Sequence, residues 1–166
     1  MPSQRSKQKK PGRKHNYEPR IINRRATHDY FISDKLECGV QLHGSEVKAV
    51  RLGLVSLAEG YVAVENDGRL LLRNVDIGLY PHAGPFAHDP RRPRVLLAHK
   101  REINKLRGAA TAKGTTIIPL QMYFVRGRIK CEIGLGTGKK QYDKRQDLKK
   151  KEADRDMRRA LSKHLH

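Results

Sequence analysis

Tyr61-Val62-Ala63-Val64-Glu65-Asn66-Asp67-Gly68-Arg69-Leu70-Leu71-Leu72 decides the fold. Two short runs of strand-forming residues flank an Asp-Gly pair. Glycine supplies the positive φ that a tight antiparallel connection requires, so the stretch predicts a β-hairpin, with Val75 and Ile77 continuing its second arm. Toward the C-terminus, Thr115 to Phe124 and Arg128 to Leu135 read as two further strands joined by Val125-Arg126-Gly127. Pro119 implies an edge or a bulge in the first of them, because it cannot donate to a ladder. Toward the N-terminus, the chain from Asn23 to Leu42 reads as a basic lead-in passing into a strand. Gly44-Ser45 then opens a short helix with Ser45 as cap, Val47, Val50 and Leu54 as its buried stripe, and Gly53 at its end.

Pro81, Pro85, Pro90 and Pro93 mark a long surface loop ending in Arg91-Arg92-Pro93-Arg94. This basic stretch is expected to open a second helix in which Leu96, Leu97, Ile103 and Leu106 face inward and Gly108 is the stop. A short third helix over residues 109–113 stays open. Five or six short antiparallel strands with two or three flanking helices predict a mainly β domain, a small closed or partly open barrel. Among such folds the OB-type barrel is a frequent nucleic-acid binder.

Charge says what such a barrel would meet. The 166 residues carry 36 Lys+Arg against 17 Asp+Glu, a net +19 with a pI near 10.3. Residues 1–25 hold 9 basic and 1 acidic side chain and residues 139–166 hold 11 and 5, so most of the excess lies at the two ends. Such a field attracts polyanions and makes binding steep in salt. The expected organisation is a flexible basic arm over 1–21, an RNA-binding barrel over 22–138 and a basic tail over 139–166. No apolar run approaches the ~20 residues that span a bilayer, and residues 1–7 lack the apolar stretch of a signal peptide, so a cytoplasmic, monomeric protein with reduced cysteines is expected.

Catalytic templates do not fit. Gly134-Leu135-Gly136-Thr137-Gly138-Lys139-Lys140 superficially suggests a phosphate loop, but the Walker pattern needs Gly at 133 and Ser or Thr at 140, where the chain has Ile133 and Lys140. These glycines instead suit a chain leaving its last strand. Cys38 and Cys131 lack the close spacing of a zinc site, and no histidine has a nucleophile beside it in a recognisable motif. No catalytic residue, metal or cofactor is expected.

Asn23-Arg24-Arg25-Ala26 with His28 and Tyr30, Glu37-Cys38-Gly39, His43-Gly44-Ser45-Glu46-Val47-Lys48 with Arg51, Asp89-Pro90-Arg91-Arg92 running into Leu96-Leu97 and His99-Lys100-Arg101-Glu102, Pro119-Leu120 with Tyr123-Phe124, and Gly138-Lys139-Lys140 with Asp143-Lys144-Arg145 occur in an order that resembles the SsrA-binding protein family. The resemblance covers about residues 22 to 146. It implies an OB-type barrel that grips the tRNA-like domain of transfer-messenger RNA (tmRNA) through Asn23, Arg24, Arg25, His28, Glu37, Leu97, His99 and Lys100. Arg24, Arg25 and Lys100 suit phosphates, and His28 and His99 suit stacking or hydrogen bonding. It further implies a tail, disordered when free and helical on the ribosome, that enters the small-subunit decoding region and the empty mRNA path. There Gly138, Lys139, Lys140, Tyr142, Asp143, Lys144 and Arg145 would meet ribosomal RNA. Ala153, Met157, Leu161 and Leu165 would form a narrow apolar stripe on that helix. Elongation factor Tu would be met by way of the charged RNA. The alternative is a general RNA-binding or ribosome-assembly factor, and an RNA-modifying enzyme is the more distant one.

Overall fold

A computed structural model describes residues 18–164. The arm expected over 1–21 therefore lies almost wholly outside the described residues. In chain order the elements are strand β1 (Ile21–Ile22), helix α1 (Arg24–Asp29), β2 (Tyr30–Val40), α2 (Gly44–Arg51), β3 (Val55–Ser56), β4 (Tyr61–Val64), β5 (Leu70–Arg73), β6 (Asp76–Ile77), a 3-10 turn (Gly84–Phe86), β7 (Arg94–Leu97), α3 (Lys100–Ala110), β8 (Thr115–Val125), β9 (Arg128–Gly138) and α4 (Gln141–His164).

The hairpin forms where the sequence places it. Val64 pairs with Leu70, the Glu65 N–H donates to Arg69 O at 2.9 Å, and Gly68 takes a φ of +86° to close the loop. Leu70 and Leu72 point to the same side and are fully buried. Asn74, at a φ of +55°, ends this arm, so Ile77 joins β6 and pairs with Val55 of β3 in a separate two-stranded ribbon.

Every ladder is antiparallel, and the pairings close on themselves. From β8 they run through β4, β5, β7, β2 and β9 and return to β8, a ring of six strands; β1 extends the edge of β8 beyond β4. Closure removes the exposed edges that an open sheet would leave. Leu70, Leu72, Ile117, Met122, Ile133, Cys38 and Cys131 fill the ring, while Val50 of α2 and Leu106 of α3 pack onto the same core. The ladder between β8 and β9 slips between Pro119 and Gln121, the bulge that Pro119 implied.

Other expectations change as well. Asn23 to Asp29 is not strand: a single helical turn and a half intervenes, because the Asn23 side chain caps it by accepting the Ala26 N–H at 3.1 Å. Arg94 to Leu97 is a strand, with Leu96 buried and Leu97 57% exposed, so Leu97 does not face inward; α3 begins only at Lys100, runs through Gly108 and ends at Ala110 without a third helix at 109–113. Leu54 follows α2 and is exposed, and the backbone N–H of His43, not Ser45, closes the helix start by donating to the Glu46 carboxylate at 2.7 Å. Gly134 and Gly136 lie buried within β9, where a Cβ would approach Ile32 Cγ2 to 2.7 Å and Ile118 Cδ1 to 2.4 Å; they permit close packing, and the strand continues to Gly138.

Candidate nucleic-acid interface

The eight residues expected to meet RNA fall into two groups at opposite ends of β2. The first sits on α1. Asn23 is 4% exposed, and its amide donates to Leu57 O and Pro119 O, both at 2.9 Å, while its oxygen caps the helix. Three of the four hydrogen bonds its side chain can make are spent inside the chain, so Asn23 holds α1 in place. Arg24 and Arg25 are exposed in the first turn, the end of a helix where the backbone dipole disfavours cations. Helix stability therefore does not account for them. Arg25 is offset by Asp29 at 3.3 Å and by Glu59, and His28 Nδ1 lies 2.9 Å from Asp29 Oδ1.

The root of the tail joins this group. The Lys139 N–H donates to Asp29 O and its ammonium to Thr27 O, both at 2.9 Å, and the ammonium also stands 4.9 Å from the centre of the Phe31 ring. Lys140 N–H donates to Asp143 at 3.2 Å and starts α4, from which Tyr142 projects with 70% exposure. Residues 141–164 are one helix, on which Met157 is exposed; Lys144 and Leu161 have side chains outside the described set, and Leu165 lies outside the described residues.

The second group lies seven residues along β2 from Tyr30, roughly 23 Å at ~3.3 Å per residue. Glu37 accepts a hydrogen bond from the Tyr123 hydroxyl and pairs with Lys130 at 3.3 Å. Those two hydrogen bonds hold its carboxyl below the usual range, and the same contact pushes the Tyr123 phenol up to about 12. Its carboxylate is thus already engaged and meets a ligand only alongside Tyr123 and Lys130. Gly39 pairs with Leu97, and a Cβ on Gly39 would stand 3.3 Å from Leu97 Cβ. A groove of about 420 Å3 runs beside Leu97, between Leu42 and Val47 on one side and Arg128 and Lys130 on the other. His99 and Lys100 follow at the exposed start of α3, where the His99 N–H donates to Glu102 at 2.8 Å.

Sequence reasoning missed Tyr123, Arg128 and Lys130 as partners of Glu37 and Leu97. The signal was present in the Arg126-Gly127-Arg128-Ile129-Lys130 alternation, which puts Arg128 and Lys130 on one face, but the register of β2 against β9 was needed to place that face opposite Gly39. Arg20 adds a guanidinium 5.6 Å from the Tyr123 ring centre. An arrangement of exposed cations, an apolar side chain and ring faces around a shallow groove can neutralise phosphates and stack bases.

The family model for SmpB protein matches residues 20–163. The chain belongs to the SmpB family. An SsrA-binding protein of Microcystis aeruginosa is 52% identical over 142 residues, 85% of this chain and 92% of that one. Another, from Corynebacterium urealyticum, is 45% identical over 165 residues, 98% of this chain and 92% of that one. Among solved structures, a chain from "tmRNA-SmpB: a journey to the center of the bacterial ribosome" is 43% identical, with a TM-score of 0.64 over 74% of this chain and 86% of that chain. Family membership therefore rests on most of the folded body as well as the tail. No helix among the described residues is long and apolar enough to cross a membrane.

Proposed function

We propose that the chain binds the tRNA-like domain of tmRNA and delivers it to stalled ribosomes in trans-translation, acting as a binding protein without catalysis in the cytoplasm. The observation that carries this reading is the 43% identical chain from the tmRNA-SmpB ribosome structure, joined to relatives named for binding SsrA. Barrel and tail suit a division of labour. The barrel, residues 22–138, holds tmRNA through Arg24, Arg25, His28, Glu37, Leu97, His99 and Lys100. The tail, 139–166, orders in the decoding region and mRNA path of the small subunit through Lys139, Lys140, Tyr142, Lys144 and Arg145, having been disordered when free. An isolated helix of this composition is marginal, which fits ordering on contact. The arm, 1–21, stays flexible. The protein acts as a monomer, and elongation factor Tu is met through the charged RNA.

The test is identification of the RNA that copurifies with the protein, followed by competition at near-physiological salt. Preferential retention of tmRNA is expected. Equal competition by tRNA and ribosomal RNA fragments would instead establish a general RNA-binding or assembly factor. Changing Lys144 and Arg145 to Ala should leave tmRNA affinity within about twofold and abolish rescue of stalled ribosomes; a large loss of affinity for free RNA would contradict the division.

A further inference from the structure

Helix α2 separates two clefts. One is the groove beside Leu97; on the opposite flank, facing the 78–88 loop, lies a second of about 630 Å3, within the ~300–1,000 Å3 typical of ligand sites. Its chemistry comes from His43, Lys48, Tyr80 and His82, and no carboxylate lines it among the described residues. Elsewhere on the chain Arg25, Arg69, Arg73, Arg91 and Lys105 each face an acidic partner. The Lys48 ammonium stands 5.1 Å from the Tyr80 ring centre, and the Tyr80 and His82 rings meet edge to face at 5.5 Å.

The wall opposite α2 is held in place. His88, 8% exposed, has Nε2 3.0 Å from the Ile77 carbonyl oxygen, which only accepts, so Nε2 carries a proton and donates. Nδ1 is hydrogen-bonded to the Ser45 hydroxyl at 3.0 Å, a latch from loop to helix. A cleft so fixed binds without first being ordered.

The geometry points to this cleft as a seat for one unpaired nucleotide of bound RNA: its phosphate on Lys48, His43 and His82, its base against the Tyr80 and His82 rings. A cation beside ring faces is the recurring recipe for single-stranded RNA. Continuity with the first groove favours a strand: Leu42 and Val47 line that groove while their chain neighbours His43 and Lys48 line this one, so RNA lying against Leu97 crosses the first turn of α2 to arrive here. The inference rests on the proposed binding of tmRNA.

The test uses the full chain and a transcript of the tRNA-like domain carrying 4-thiouridine. Irradiation should crosslink RNA to the peptide containing Tyr80 and His82. The double variant Lys48→Ala, His82→Ala should lose that crosslink, bind about three- to tenfold more weakly, and show a log affinity against log salt slope smaller by about 0.7, the value for one single-strand phosphate. Lys48→Arg should keep the slope. A wild-type protein that binds the transcript fully yet crosslinks only elsewhere overturns the inference, as does a double variant with unchanged affinity and slope. Failure of the wild-type protein to bind the transcript at all overturns the proposed function instead. The crosslink is read on the unaltered chain, so it holds whether or not a variant folds.

Discussion

Arg94→Met is the most informative single change to the scaffold. The guanidinium is fully buried and donates to Glu46 at 2.8 Å and to the carbonyls of Val75 and Pro90, each at 2.7 Å. It thereby ties α2 to the chain between β5 and β6 and to the end of the proline loop. Methionine fills much of the volume but leaves the Val75 carbonyl without its donor, the Pro90 carbonyl with the Ile77 N–H alone, and a buried carboxylate held only by Arg92 and the His43 N–H. Removing one partner of a buried pair costs about 3–5 kcal/mol. At roughly 3–5 °C per kcal/mol for a body of this size, the midpoint of thermal unfolding should fall by about 10–20 °C. Arg92→Met, which strips the outer and partly exposed partner, should cost about 1–2 kcal/mol. Burial alone would raise the Glu46 carboxyl, but hydrogen bonds from Arg92, the His43 N–H and Arg94 outweigh it and hold the group below its ordinary value. The stabilisation is therefore complete above the unfolded pKa of about 4.3 and is lost as pH falls through the lower folded value, so the gap between wild type and Arg94→Met should narrow on acidification. Circular dichroism melts at pH 7 and pH 4 measure all of this. A shift below about 3 °C at pH 7, or one no larger than that of Arg92→Met, would refute the assignment.

Spectrophotometric titration should find one of the six tyrosines ionising only near pH 12, and Glu37→Gln should bring it toward 10; because the folded value is raised, this contact stabilises below pH 10 and is lost as pH climbs toward 12. Gly134→Ala should lower stability by about 1–3 kcal/mol through contact with Ile32 and Leu120. An unchanged melting curve would mean that β2 and β9 are less tightly apposed than described. Burial raises the Cys38 thiol to about 12 and the Cys131 thiol further, so neither should react with Ellman's reagent at pH 8 until denaturant is added. Rapid reaction in the folded state would place at least one of them outside the core.

What the sequence disclosed was whatever local chemistry dictates. The Asp67-Gly68 turn, the Pro119 bulge and the stop at Gly53 each depend on one residue's backbone, and each is present. Helix α1 was hidden because its only buried residue is Ala26, which leaves no apolar period to read; its stability comes from Asn23 reaching chain 34 and 96 residues away. Leu96-Leu97 read as the inward face of the second helix together with Ile103 and Leu106, but pairing with β5 and β2 makes them strand. Arg94 looked like part of a basic surface, and nothing short of the Glu46 contact places it inside. Of the proposed interface, composition pointed to a polyanion and motif order supplied the residues proposed to meet it. Their separation into two clusters, and the engagement of Glu37 by Tyr123 and Lys130, belong to the register of β2 with β9.

Clamping Lys139 to the backbone of Thr27 and Asp29 turns the junction between body and tail into a pivot. The helix beyond it has 24 residues, an arm of about 36 Å at 1.5 Å each. Over such a length a 10° swing at the base displaces the tip by roughly 6 Å, about one helical pitch. The direction of the helix is set at its root, where Lys139 meets Thr27, Asp29 and Phe31, and weakening those contacts would displace the tip without altering a residue near it.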